Sequence, residues 1–287
     1  MASLKEVKGR IASVNNTRKI TSAMKMVASA KLHKAQAAIE SMLPYERRLH
    51  HILTDFMSNC TEVTSPFIVK REVKKVAVVV FASNTSLCGG FNANVIRHLV
   101  DLLTEYKPLG LENILVFPVG KKVADAVRKL GFRIEGDFQH MADKPSYQEA
   151  ADLAADLMKR FLHGDVDTVE LLYNHFKSTA SQILTRETYL PIDLNTEKKE
   201  EERTIDYILE PSAEELMQEM LPKVLRMKMF TVLLDSNAAE HAARTMAMQI
   251  ATDNANELLQ ELTVMYNKSR QQSITNELLD IVGGSMA

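Results

Sequence analysis

The sequence predicts an α/β fold in which a long antiparallel coiled coil, made by the N- and C-terminal helices, brackets a central domain of strands and helices. Three observations carry this. Residues 4–42 and 227–265 repeat apolar side chains at the 3-4 spacing of a helical seam. The middle of the chain changes to short β-branched runs separated by helical stretches. Each seamed helix is also longer than the roughly 35 Å width of so small a central domain. Neither can bury its stripe there alone, and pairing with each other is the economical solution; a compact bundle of bent helices is the other.

Composition sets the outer limits. The chain has 287 residues, 46% hydrophobic and 25% charged, with a formal net charge of −2. That is an ordinary globular composition with no bulk charge for nucleic acid. Cys60 and Cys88 stand in no CxxC pattern and read as reduced thiols. No apolar run approaches the ~20 residues of a membrane-spanning helix. The start, "MASLKEVKGRI", enters the amphipathic pattern at once, without the apolar core of a signal peptide or room for a transit peptide. Basic residues exceed acidic ones in 1–57 and the reverse holds in 212–282, which suits antiparallel pairing.

Residues 1–57 form the first coiled-coil segment. Leu4, Val7, Ile11 and Val14 begin the seam, and Ala28, Leu32, Ala35, Ile39 and Met42 continue it in register. Between them that register falls on Arg18, Thr21 and Lys25. Three polar residues in a row suggest that this stretch faces something other than its partner helix. Pro44 should kink or divide the helix.

Residues 74–195 form the α/β domain. Strands are expected at 74–82, 113–119, 167–176 and 182–192, and helices at 92–106, 121–131 and 146–164. The alternation predicts parallel crossovers in a Rossmann-like domain. A charged loop follows at 195–204, then a short strand at 205–211. Residues 212–287 form the second coiled-coil segment. Ser212 caps it, Pro222 bends or interrupts it, and Gly283-Gly284 stop it. Its seam starts with Met227, Phe230 and Leu234 and is broken at Asn237, His241 and Arg244. It resumes with Met248, Ala251, Ala255, Leu258, Leu262 and Met265, then breaks at Ser269, Gln272 and Asn276.

The residues carry little chemistry. "VAVVVFASNTSLCGGFNANV" has the strand, Gly-containing loop and helix of a phosphate cradle, but only Gly89-Gly90 where G-x-G-x-x-G is needed. Around Gly120-Lys121, Leu115 and Lys122 stand where a Walker A loop needs Gly and Ser or Thr. The histidines have no metal-ligand spacing, and Cys88 has no evident base. Neither cofactor nor catalytic role is expected.

Two long stretches do carry a resemblance. "IASVNNTRKITSAMKMVASAKLHKAQ" (11–36) and "AARTMAMQIATDNANELLQELTVMYNKSRQQSITNELLDIVGG" (242–284) closely resemble the terminal signatures of the γ subunits of F-type ATP synthases, bacterial type. "SNTSLCGGFN" (83–92) is similar to that family's SD-x-G-L-C-G-G-y-N loop, with Asn84 and Thr85 departing from it. The resemblance implies a non-catalytic rotor shaft inside a hexamer of α and β subunits, with the α/β domain at the foot beside ε and the c-ring. Ion flow through the c-ring would turn the shaft and drive ATP synthesis on β. It implies contact with β at Met24 and Arg244, and again at Arg270, Gln271, Thr275 and Glu277. Ile274, Leu278, Ile281 and Val282 would sit in the hexamer's collar, and Tyr207 and Glu210 would face ε and the c-ring. The implied location is peripheral, on the cytoplasmic face of a bacterial inner membrane. Read from the residues alone, Met24 is a core residue, and Arg244 and Arg270 are solvated charges. The rival functions are a non-rotary coiled-coil adaptor with an α/β head and a degenerate dinucleotide-binding enzyme.

Overall fold

A computed structural model describes residues 3–59, 65–192 and 212–285. Its two longest elements are α1 (Leu4–Asn59) and α6 (Ala213–Ser285), which run antiparallel. Thr21 meets Thr252, and Arg18 reaches Asn256. Buried residues of the α1 seam include Val7, Ala28, Leu32 and Ala35. Leu32 and Ala35 pack on Ala238 and Ala242, small residues that let the backbones approach closely.

The polar stretch of the first seam is corrected by this pairing. Thr21 is buried and bonded across the coil, with Thr252 Oγ1 donating to Thr21 Oγ1 at 2.9 Å. Arg18 donates to Asn256 Oδ1 at 3.3 Å. At Arg18 and Thr21 the break faces the partner helix after all, because α6 offers matching polar groups at the same height. The α6 seam is also shifted. Leu258 and Met265 are exposed, while Leu259 and Tyr266 are half-buried. An apolar residue stands at each of two adjacent positions there, and spacing could not choose between them.

Neither proline divides its helix: Pro44 lies within α1 and Pro222 within α6. Nor do Gly283 and Gly284 stop α6, which continues to Ser285. Glycine lowers helix propensity by about 1 kcal/mol without forbidding the helix. The Ser212 cap is present, its Oγ accepting from the Glu215 N–H at 3.3 Å.

The remaining elements are β1 (Val76–Phe81), α2 (Phe91–Tyr106), β2 (Ile114–Val119), α3 (Lys121–Leu130), β3 (Arg133–Ile134), α4 (Gln139–Asp143), α5 (Tyr147–His163), β4 (Thr168–Phe176) and β5 (Gln182–Leu190). They build one five-stranded sheet in the order β3-β2-β1-β4-β5. The β1–β2, β1–β4 and β2–β3 pairs are parallel. β5 is antiparallel to β4. The short link at 177–181 allows only a hairpin, since a parallel crossover needs a dozen residues or more. β3, α4 and short 3-10 turns at 107–109 and 111–113 were too brief to leave a periodic signal.

Every residue of β1 is buried, as expected of a central strand covered on both faces. One face, through Val76, Val78 and Val80, packs on α2 and α3. The other, through Ala77, Val79 and Phe81, packs on α5 and on the lower part of α6, including Met217, Leu221, Leu225, Met229 and Leu233. So α6 is both a strut of the coil and a layer of the α/β domain. Leu53 of α1 enters the same core.

Candidate functional site at the junction of coil and sheet

The loop after β1 is the part of the domain that most resembles a ligand cradle. It is tied down from within. The Ser83 N–H donates to Asn92 Oδ1 at 3.1 Å, and Asn92 Nδ2 returns a bond to Ser83 Oγ at 2.8 Å. Asn84 Oδ1 accepts from the Lys121 N–H at 2.8 Å, satisfying a free amide at the start of α3, and its Nδ2 donates to Gln139 O. Gly120, beside it, is needed for close approach: a Cβ there would stand 2.1 Å from Ala82 O.

In open α/β sheets, ligands bind off the carboxyl ends of the strands. Here α6 takes that ground. Cys88 and Phe91 are buried against Ala239 and Ala243 of α6. Arg244 donates to Ser86 O at 2.6 Å and to Thr85 Oγ1 at 2.9 Å. The loop is a socket for the helix, and Cys88 is one of its packing residues.

Arg244 is itself held by Glu240, one turn earlier on α6, with Nε donating at 2.8 Å. His241 Nδ1 lies 2.6 Å from the other Glu240 oxygen, an ion pair when the imidazole is protonated. All three side chains are largely buried. Burial alone would raise the Glu240 pKa. The contact with His241 and the charge of Arg244 outweigh it, so the carboxyl is held below its ordinary range. Beside this group lies a cleft of about 270 Å³, walled by Met24, Ala28, Phe81, Val119 and Leu233.

Further fasteners join α6 to the domain. Asp235 accepts from the Phe176 N–H at 2.8 Å and lies 2.6 Å from His175 Nδ1. Asn237 donates to Ala142 O at 2.9 Å. Lys228 pairs with Glu187 at 3.3 Å, and Tyr189 Oη donates to Leu225 O at 2.8 Å. The Tyr189 hydroxyl is raised well above the ordinary phenol value by burial. The second seam break is thereby explained. Asn237 and Arg244 leave the coil's seam because they face the α/β domain. Asp235 and Glu240 left no signal, being single acids on a long charged helix.

A separate polar cluster ties β5 and β4 to α2 on the opposite face of the sheet. Arg186 donates to the buried Glu170 at 2.5 and 2.9 Å and to Glu105 at 2.7 Å. The Tyr106 hydroxyl donates a short bond to Glu170, and its pKa is pushed up to about 12 by burial and by that carboxylate. The cluster reads as structural.

The expected contact residues fall into two separated groups. Met24 is half-buried at the cleft beside Arg244. Arg270, Gln271, Thr275 and Glu277 are exposed near the far end of α6, roughly 39 Å from Arg244 at ~1.5 Å per residue. Ile274, Leu278, Ile281 and Val282 are exposed around that tip. Tyr207, Glu210 and the strand expected at 205–211 lie outside the described residues. Among the described residues no group of His, Cys, Asp and Glu could hold a metal ion, and no helix is long and apolar enough to cross a membrane.

The family model described as ATP synthase matches residues 3–287. The chain is 82% identical to the ATP synthase gamma chain of Phocaeicola vulgatus over 289 aligned positions, covering 100% of both chains. It is 64% identical to the ATP synthase gamma chain of Bacteroides fragilis, again over 100% of both. This chain belongs to the ATP synthase gamma-chain family. Its fold is similar to a chain of the Euglena gracilis mitochondrial ATP synthase OSCP/F1/c-ring structure. There the TM-score is 0.67 at 22% identity, with 99% of this chain and 93% of that one covered. It is also similar to a chain of the central stalk/c-ring structure of the Tetrahymena thermophila mitochondrial ATP synthase, with a TM-score of 0.58 at 21% identity. That match covers 81% of this chain and 99% of the other. In this member of the family the Gly89-Gly90 loop is the socket that receives α6.

Proposed function

We infer that this chain is the central rotor shaft of an F-type ATP synthase, turning inside a hexamer of α and β subunits and linking it to an ion-driven c-ring. The observation that carries this reading is the division of α6. One continuous 73-residue helix is built into the α/β domain at its base and carries exposed apolar residues along its upper turns. A foot joined to a projecting shaft is what rotary transmission requires. Family membership makes a non-rotary adaptor the weaker reading, and α6 fills the ground that a dinucleotide would need.

On this reading the chain is non-catalytic and the chemistry belongs to β. Met24 meets β directly from the rim of the cleft, and Arg244 supports that contact through the loop it holds. Arg270, Gln271, Thr275 and Glu277 form the second contact region. Ile274, Leu278, Ile281 and Val282 turn within the collar, where non-directional apolar contact permits rotation. Tyr207 and Glu210 face ε and the c-ring. The chain is peripheral, on the cytoplasmic face of the bacterial inner membrane, and reaches that membrane only through the c-ring.

The test is reconstitution. Co-expression with the α and β subunits should give a complex with one copy of this chain per three αβ pairs. A probe fixed to its α/β domain should rotate when ATP is added. Failure to assemble, or assembly without rotation, would overturn the reading.

A further inference from the structure

We propose that the cleft between coil and sheet is a binding site for a small amphipathic organic acid, with Ser236, His241 and Lys31 holding the acid group and the apolar walls holding its body. The inference concerns this chain alone and stands whether or not the chain turns as a rotor.

The cleft is the part of the ground off the carboxyl ends of the strands that α6 does not fill. Phe81 at the end of β1, Val119 at the end of β2, Ala28 of α1 and Leu233 of α6 all line it. Four elements meet there and leave about 270 Å³ open. Protein interiors are otherwise close-packed, with few voids larger than a water molecule. The volume suits a small molecule and is too small for a dinucleotide. Mostly apolar walls with a few converging polar groups are what small-molecule sites share.

Two of the polar groups are deeply buried and not used by the fold. Ser236 is 5% exposed, and its hydroxyl has no hydrogen-bond partner among the described residues. His241 is 9% exposed. Its Nδ1 faces Glu240, and its Nε2 has no partner among the described residues. Their polar neighbours at the cleft are already engaged: Asn84, Asn237, Glu240 and Arg244 make the bonds described above. Buried polar groups normally find a partner. Ser236 and His241 both line the cleft, so a molecule bound there can supply one.

The charges select the ligand. Lys31 of α1 is exposed at the cleft and has no ion pair among the described residues. Glu240 is paired with Arg244. Asp143 of α4 is the remaining acid, and it is exposed, where solvent and salt screen it. A hydroxyl, an imidazole N–H and an ammonium can each donate to a carboxylate. An apolar body on that carboxylate would lie between Met24 and Leu233.

The experiment titrates naphthoate into the full chain carrying methyl-labelled methionine and follows the methyl signals by NMR. Met24 reports the cleft, and Met265, which is exposed on the shaft, reports adsorption to apolar surface. Met24→Leu and Met265→Leu assign the two signals. Naphthoate should shift the Met24 signal saturably, with a Kd on the order of 1 mM for so small a ligand, and leave Met265 in place. Naphthyl methanol, its neutral counterpart, should bind more weakly. Ser236→Ala removes a hydroxyl that bonds to nothing in the chain, so the fold is kept, and should weaken binding about threefold. Lys31→Gln, at an exposed position, should weaken it and remove most of its dependence on salt. No saturable shift at Met24, equal shifts at Met24 and Met265, or unchanged affinity in both variants overturns the proposal. Equal affinity for the neutral alcohol overturns the acid as the ligand.

Discussion

The lower and upper parts of α6 are one unbroken helix in two different surroundings. Between Met227 and Ala243 it buries residues on all sides: Met229 and Phe230, then Val232, Leu233 and Leu234, then Ala238 and Ala239. A helix apolar all round belongs in a core. Above Met248 it buries a single stripe through Met248, Ala255 and Leu262, while Ile250, Val264 and Leu279 stand exposed. Single exposed apolar residues are normal, but a long row of them on a projecting helix marks a surface for partners. On the rotor reading, the difference is what one helix needs to serve as both foot and shaft: packed in at the base, uncovered above.

The same truncation at the two levels should have very different costs. Met229 is fully buried and Met265 is 52% exposed. Met229→Ala should lose about 2–5 kcal/mol of stability. Met265→Ala should stay within about 0.5 kcal/mol. Urea unfolding of the purified chain measures both, and similar losses would erase the distinction between core and shaft.

The junction should respond to acid. Glu240 is held below its ordinary value of 4.5, so it binds a proton less tightly in the folded chain than in the unfolded one. Its contribution is complete above that value and is lost as the pH falls through the lower, folded-state value. Glu240→Gln should cost about 1–3 kcal/mol at neutral pH, because Arg244 loses its charged partner. It should also make the acid loss shallower. Unfolding curves from pH 7 to pH 3 test both, and an unchanged acid slope would remove Glu240 from the account.

The two levels were not equally legible in the sequence. The start of the first seam was read residue by residue, because Val7 and Val14 have no apolar neighbour on either side. The upper α6 seam was misplaced at Leu258 and Met265 because Leu259 and Tyr266 stood beside them. Polar breaks carried information without its sign. Arg18 and Thr21 are satisfied inside the coil, whereas Asn237 and Arg244 turn toward the sheet. Spacing says that a residue leaves the apolar pattern; only the opposing strand or helix decides what it meets. The terminal motifs pointed to the family, but the fastening of α6 depends on residues 59 or more positions away in the chain: His175 and Phe176 for Asp235, Thr85 and Ser86 for Arg244.

The polar layer of the upper coil offers a smaller effect. Thr21→Val removes one of the two acceptors that share the single Thr252 hydroxyl proton and leaves it Met248 O. The single change should cost about 0.5–1 kcal/mol. Thr21→Val with Thr252→Val replaces both groups by apolar ones and should recover most of that loss. A double variant no better than the single one would mean that the layer holds the helices by shape rather than by its hydrogen bond.

The smallest effect on the chain itself is expected at the tip. By the Thr21–Thr252 register, α1 begins near Ser269, so the last turns of α6 extend past it without that cover. Leu279 is 64% exposed there. Leu279→Ser should shift the stability of the isolated chain by no more than about 0.5 kcal/mol. In the assembled complex it should weaken retention by the hexamer, read as faster exchange of labelled chain, because an apolar contact is then replaced by a hydroxyl. If stability falls in the isolated chain, the tip is packing against its own protein. If neither measurement moves, this turn lies outside the collar, and the contact surface ends lower on the helix.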